Sequence, residues 1–188
     1  GWGVLFPMRN EIRLAWLADE IKKEYPQIEL FPADMSRFHF ERRVKMNCFY
    51  CKNYGLNWKC PPKIPDIDYQ KMMCEYDHGA FVKIELPFQP DDFQEIRART
   101  TNDLHQALLK LEKILWEQNQ PMAISFIGGS CKLCKNGCGP DRCSHPYESR
   151  VPFEATGVNV VKTVEEQTEI RLSFPPKNTL KRVGLLLW

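Results

Sequence analysis

Residues 48–62 read CFYCKNYGLNWKCPP, and residues 131–143 read CKLCKNGCGPDRC. These stretches hold seven of the eight cysteines of the chain: Cys48, Cys51, Cys60, Cys131, Cys134, Cys138 and Cys143. Thiolates at such short spacing can converge on one soft metal centre, which then organises the loop around it. The sequence therefore predicts two metal-binding loops, at about 46–65 and 128–147.

The second group can supply every ligand of one cluster. Its four cysteines form a continuous run, and cysteine thiolates at comparable spacings hold [4Fe–4S] clusters, although the bacterial ferredoxin run is shorter. Structural zinc is the alternative, but zinc sites usually pair two separate C-x2–4-C knuckles over a longer gap. The continuous run favours a cluster. His145 follows closely and is either a ligand, a proton donor or a plain backbone hydrogen-bonding residue.

The first group contributes three thiolates, which would leave one iron of a cluster with an exchangeable position. Cys74 could instead supply a fourth ligand, although its place on a predicted helix favours an ordinary thiol. His39 and His78 are weaker candidates. Zinc held by three cysteines and a fourth group also stays open here.

Predicted strands and helices alternate along the rest of the chain, which indicates an α/β fold. We expect a layered mixed sheet with helices, in one domain over residues 1–188 that carries the two cysteine-rich cluster-binding loops. The predicted strands cover 4–6, 28–31, 37–44, 80–86, 122–127, 168–174 and 183–188. The predicted helices cover 9–25, 66–77, 91–119 with a break near 100–102, and 157–165.

The composition excludes several classes of protein. A net charge of +2, from 26 basic and 24 acidic residues, argues against a nucleic-acid binder. No apolar run approaches the ~20 residues of a membrane span, and no secretory signal is visible. We therefore expect a cytoplasmic protein, in which reducing conditions keep thiols free for metals. A local basic run at 42–45 is either a solvated strand edge or a dock for an acidic partner, such as a ferredoxin, or for an anionic substrate.

Both cysteine groups resemble a known family. The run from Cys48 to Pro62 resembles the C-x2-C-x2-YG-x2-W-x-CPP signature of DUF2284, a family of predicted metal-binding proteins. The segment from Gly129 to Pro146 resembles its second signature, and the similarity continues through Glu154-Ala155 and Gly157-Val158. The resemblance implies metal binding and a role in anaerobic metabolism, without naming a reaction.

Three functions are compatible with this sequence. The first is an iron–sulfur protein with two [4Fe–4S] clusters that transfers electrons, as a reductase or as an accessory of an anaerobic enzyme. The second is a non-redox module in which zinc or a cluster stabilises a partner-binding surface. The third is an enzyme that uses an open cluster iron as a Lewis acid or sulfur carrier. Whether the chain is an enzyme stays undecided. The expected partner is a redox protein such as a ferredoxin or an anaerobic enzyme, and a homo-oligomer stays open.

Overall fold

The computed structural model describes residues 12–188. The predicted strand at 4–6 and the start of the predicted helix at 9–25 lie outside these residues. The described helices and strands, in chain order, are α1 (Leu14–Lys22), β1 (Ile28–Pro32), α2 (Arg42–Phe49), α3 (Tyr69–Met73), β2 (Gly79–Pro87), α4 (Phe93–Glu117), β3 (Ile124–Phe126), α5 (Val160–Gln167) and β4 (Thr179–Leu187).

The strands form one four-stranded sheet in the order β1-β2-β4-β3. This confirms the α/β class. The expected mixed sheet differs in one respect, because every pairing between these strands is antiparallel. A single parallel bridge joins Ile127, just after β3, to Pro152. It brings the chain that follows the second cysteine loop back to the sheet.

Side chains on the two faces of the sheet belong to separate cores. Alternate residues of a strand point to opposite faces, so Val82 packs with α1 and α4 while Phe81 packs on the other side. The leucines predicted on one stripe of α4 are buried in the first core: Leu104, Leu108, Leu111 and Leu115. The second core includes Phe153 and Val158, which follow the second cysteine loop.

Helix α4 lies close against the sheet at Gly184. A Cβ atom at this position would stand 2.7 Å from the carbonyl oxygen of Phe126 and 2.8 Å from Cδ1 of Leu108. Only glycine therefore permits this approach without a shift of the helix or of β3. The close contact places the N-terminal half of α4 beside the loop that leaves β3.

Three sequence predictions for secondary structure are wrong. Helix α4 is continuous, because the hydroxyls of Thr100 and Thr101 each donate to the carbonyl of Arg97 at 3.0 Å and stay within the helix. Residues 37–44 are not a strand but the end of a 3-10 turn followed by the start of α2. Residues 168–174 form no strand, and Arg171 donates to carbonyls of its own segment there.

Candidate metal centre

The first cysteine loop is a succession of tight turns at the end of α2. Cys48 lies in the last turn of this helix, and its carbonyl accepts the N–H of Cys51 at 3.1 Å. Cys51 in turn accepts the N–H of Tyr54 at 3.0 Å, and Asn57 accepts that of Cys60 at 3.1 Å. This folding brings Cys48, Cys51 and Cys60 to the wall of one cavity of about 110 Å³.

Burial strongly disfavours the charged forms of two of these thiols. Cys60 is 7% exposed, and desolvation, followed by the charges of Cys51, Glu154, Cys48 and Cys131, raises its pKa to about 12. Desolvation also raises the pKa of Cys48, with smaller contributions from Glu154 and Cys51. A metal bound here must displace these protons, so metal affinity at this cavity increases with pH.

Glu154 lines the same cavity, and sequence reasoning did not single it out. Burial raises the pKa of its carboxyl, while a hydrogen bond from the N–H of Gly129 and the charges of Arg182 and Lys132 oppose that shift. The bridge between Ile127 and Pro152 places it there, with the N–H of Phe153 bonded to the carbonyl of Ile127 at 2.8 Å. No sequence spacing relates Glu154 to the first loop.

The second cysteine loop has an irregular backbone and encloses a larger space. Its four cysteines, Cys131, Cys134, Cys138 and Cys143, line a cavity of about 1000 Å³. The loop begins at Gly129, whose φ of +82° lies in the left-handed region that glycine adopts without strain. The next residue, Ser130, lines the first cavity, so the start of the second loop contacts that cavity.

Helix α4 holds the end of this loop through buried polar groups. Glu112 is 1% exposed and accepts two hydrogen bonds from Arg150, each of 2.8 Å, and one from Ser125. Two residues before Arg150, the Glu148 carbonyl accepts a hydrogen bond of 2.8 Å from Nε2 of buried His105. These bonds position the segment that follows Cys143.

A further bond links this segment to a sulfur atom. The Ser149 hydroxyl lies 3.3 Å from Sγ of Cys143, and Ser149 is 4% exposed. A hydroxyl at this distance can donate to a thiolate and stabilise its charge. The buried network of α4 therefore extends to one of the candidate ligands.

The two cysteine loops contact each other directly. Nε1 of Trp58 donates to the carbonyl of Gly139 at 2.6 Å, and Nδ2 of Asn57 donates to that of Cys131 at 3.1 Å. Cys51 and Ser130 line both cavities. The seven cysteines thus form two adjacent groups that share a wall.

A family model described as a predicted metal-binding protein, DUF2284, matches residues 33–188. The chain belongs to the DUF2284 family. The match covers both cysteine loops, strands β2, β3 and β4 and every described helix except α1, and it confirms the resemblance noted in the sequence. No curated protein and no solved structure matches the chain.

Membership in DUF2284 supports metal binding in general, and the geometry of the thiols adds two facts. All eight cysteines are free thiols. Across residues 12–188, no group of three or more His, Cys, Asp or Glu side chains is arranged to hold a metal ion.

The other candidate ligands of this DUF2284 chain lie apart from the first cavity. Cys74 is exposed at the C-terminal end of α3 and lines neither thiol cavity. His39 lies 2.5 Å from Glu166, and His78 stacks on Trp188 with ring centroids 5.7 Å apart. His145 is exposed and lines the larger cavity.

The basic run at 42–45 lies on α2 rather than on the predicted strand edge. Arg42, Arg43 and Lys45 are exposed, and Arg43 pairs with Glu41 at 2.6 Å. Within the described part of the chain, no helix is long and apolar enough to cross a membrane.

Proposed function

We propose that this DUF2284 protein holds two [4Fe–4S] centres, one at each cysteine group, and transfers electrons between them as part of a reductase or an accessory of an anaerobic enzyme. The observation that supports this most is the shared wall of the two thiol cavities. Cys51 lines both, and the charge of Cys131 contributes to the raised pKa of Cys60. Two redox centres at these positions would be near neighbours.

The second group supplies the number and kind of donors that a cluster requires. Four thiols from one irregular loop line the same cavity, and thiolates are the ligands that iron–sulfur centres require. When bound, such a centre supplies a site that gains and loses one electron. The chain contributes the Ser149 hydroxyl beside Cys143 as a hydrogen-bond donor to sulfur, an interaction that tunes cluster potentials.

The first group fits a centre with one non-cysteine position. Three thiols line its cavity, and among the described residues Glu154 is the lining side chain that carries a carboxylate. We infer that Glu154 either occupies the fourth position or faces a ligand bound there. Ser130 and Pro152 close the same cavity and limit the size of such a ligand. Cys74, His39 and His78 have no part in this proposal.

The test is analysis of iron, acid-labile sulfide and zinc after strictly anaerobic purification, with electron paramagnetic resonance of the reduced protein. We expect iron and sulfide in equal amounts and a spectrum of two reduced centres. Cys134→Ala should lose about half of the iron, whereas the control Cys74→Ala should keep all of it. Glu154→Ala should change the spectrum of one centre and retain the other.

Three outcomes would refute the proposal. Stoichiometric zinc without sulfide would establish the non-redox module. Unchanged iron in Cys134→Ala would exclude the second group as a cluster site. Bound clusters that cannot be reduced reversibly would favour the Lewis-acid or sulfur-carrier alternative instead.

A further inference from the structure

The larger cavity combines thiols with an unusual excess of positive charge. Six basic side chains line it: Lys52, Lys59, Lys63, Arg97, Lys132 and Lys135. They come from the first loop, from α4 and from the second loop. No Asp or Glu among the described residues lines this cavity. Since the whole chain has a net charge of only +2, the excess is local to this cavity.

None of these six cations forms an ion pair with an acid in the described part of the chain. Basic residues elsewhere do, since Arg150 pairs with Glu112 at 2.8 Å and Lys83 with Glu85 at 3.2 Å. Lys63 lies over the ring of Trp58, whose centroid is 3.8 Å from Nζ. Among residues 12–188, the six charges therefore lack acidic partners.

A seventh cation, Arg182, lies beside these six. It is partly buried and donates to the hydroxyl of Thr100 at 2.9 Å and to the carbonyl of Arg97 at 3.3 Å. Desolvation, followed by the charge of Arg97, lowers the pKa of Arg182. An anion in the cavity would relieve the repulsion between these two arginines.

Thiolates account for only part of the negative charge that would balance the six lining cations. Seven thiolates around two [4Fe–4S]²⁺ cores carry a net charge of about −3, which is roughly half of what the six lining cations could balance. The remainder matches a small ligand with two or three negative charges. Polar groups that could bind its oxygen atoms lie on the same wall, at Asn57, Asn102 and His145.

We propose that the cleft between the two cysteine loops is a binding site for a small polyanion, a phosphorylated or polycarboxylate compound, held by Arg97, Lys132 and the lysines of the first loop. A volume of about 1000 Å³ is at the upper end of the range for small-molecule sites. Arg97 supplies a planar fork for paired oxygens, and the lysines supply point charges. The concave shape favours a small compound over an acidic protein surface. The ligand's expected charge rests on the two proposed clusters, whereas the six lining cations are present whichever metal the thiols bind.

Isothermal titration of the purified protein at low salt tests this, with inorganic pyrophosphate for the phosphorylated class, citrate for the polycarboxylate class and acetate as a monoanion control. We expect one site per chain, with a Kd below about 1 mM for at least one polyanion and no detectable binding of acetate. Arg97→Gln with Lys132→Gln should weaken binding at least about tenfold, because charge-assisted bonds are lost. Arg97→Lys with Lys132→Arg should retain most of it.

The matched control is Arg99→Gln with Lys113→Gln, which removes two exposed charges from α4 outside the cavity. It should change the Kd less than twofold. The proposal is overturned if neither polyanion binds, if both double variants weaken binding equally, or if only decaglutamate, a mimic of an acidic partner, binds. The proposal is also overturned if the wild type binds no polyanion and the Arg97/Lys132 variant loses bound metal. These cations would then balance the charge of the thiolates instead.

Discussion

The two cysteine loops place their thiols in contrasting environments. The first loop is a chain of tight turns around a cavity of about 110 Å³, where burial dominates and raises the pKa of Cys60 to about 12. The second loop borders an open cavity of about 1000 Å³ and depends on buried polar groups of α4 for its position. Packing thus organises one candidate centre, and a hydrogen-bonded network organises the other.

Loss of the Glu112–Arg150 pair should produce the largest difference between the two loops, because it should destabilise the second loop more than the first. Glu112→Ala leaves the guanidinium of Arg150, which is 15% exposed, without its carboxylate partner. We expect a loss of about 3–5 kcal/mol in the free energy of unfolding, because an unpaired buried charge is costly. Urea denaturation measures this, and metal should be lost first from the second group.

The control for this prediction is Glu24→Ala, which breaks an exposed pair with Lys110 of 3.7 Å. That change should cost less than about 1 kcal/mol. Equal destabilisation by the two variants would mean that the buried network does not hold the second loop.

Trp58→Phe should have a smaller effect, on the contact between the loops. It removes the bond of 2.6 Å from Nε1 to the Gly139 carbonyl and keeps most of the aromatic surface. We expect a loss of about 1 kcal/mol and faster release of metal to a chelator. Trp116→Phe removes a 3.3 Å bond to Ala123 outside both cavities and should leave that release rate unchanged. Identical release from both variants would show that the loops hold their metals independently.

The smallest expected effect concerns pH and His105. Desolvation is the main cause that lowers the pKa of this buried side chain below its ordinary value of 6.5. Just below pH 6.5 the unfolded chain therefore binds more protons than the folded chain. The contribution of neutral His105 to the free energy of unfolding is therefore fully present above about pH 6.5 and is lost as the pH falls towards the lowered pKa. His105→Gln, which can still donate to Glu148, should flatten the decrease in stability between pH 7.5 and 5.5. An unchanged slope would assign the acid sensitivity to other groups.

Sequence patterns predicted what depends on local spacing. The leucine stripe of α4, the class of the fold and the places of the cysteine loops all follow from periodicity or short intervals. The predicted helix break near Thr100 was wrong because a threonine hydroxyl can bond within the helix, which propensity alone does not register. The predicted strand at 168–174 was wrong, since this segment pairs with no described strand and Arg171 donates to the carbonyls of Thr168 and Ile170 within it.

The rest of the candidate site depends on long-range contacts. Glu154 reaches the first cavity through a parallel bridge at the far end of the second loop. Arg97 and Lys132 approach each other because α4 packs on the sheet beside that loop. Such encounters leave no periodic trace in a single sequence, so neither the carboxylate nor the basic cleft could be predicted from it.

The position of Cys51 has a consequence for chemical vulnerability. This exposed cysteine lines both thiol cavities. An electrophile that alkylates the metal-free chain at this one atom would deprive the three-sulfur site of a ligand and place a bulky adduct at the entrance of its neighbour. Alkylation of this one sulfur atom would thereby impair both candidate metal sites.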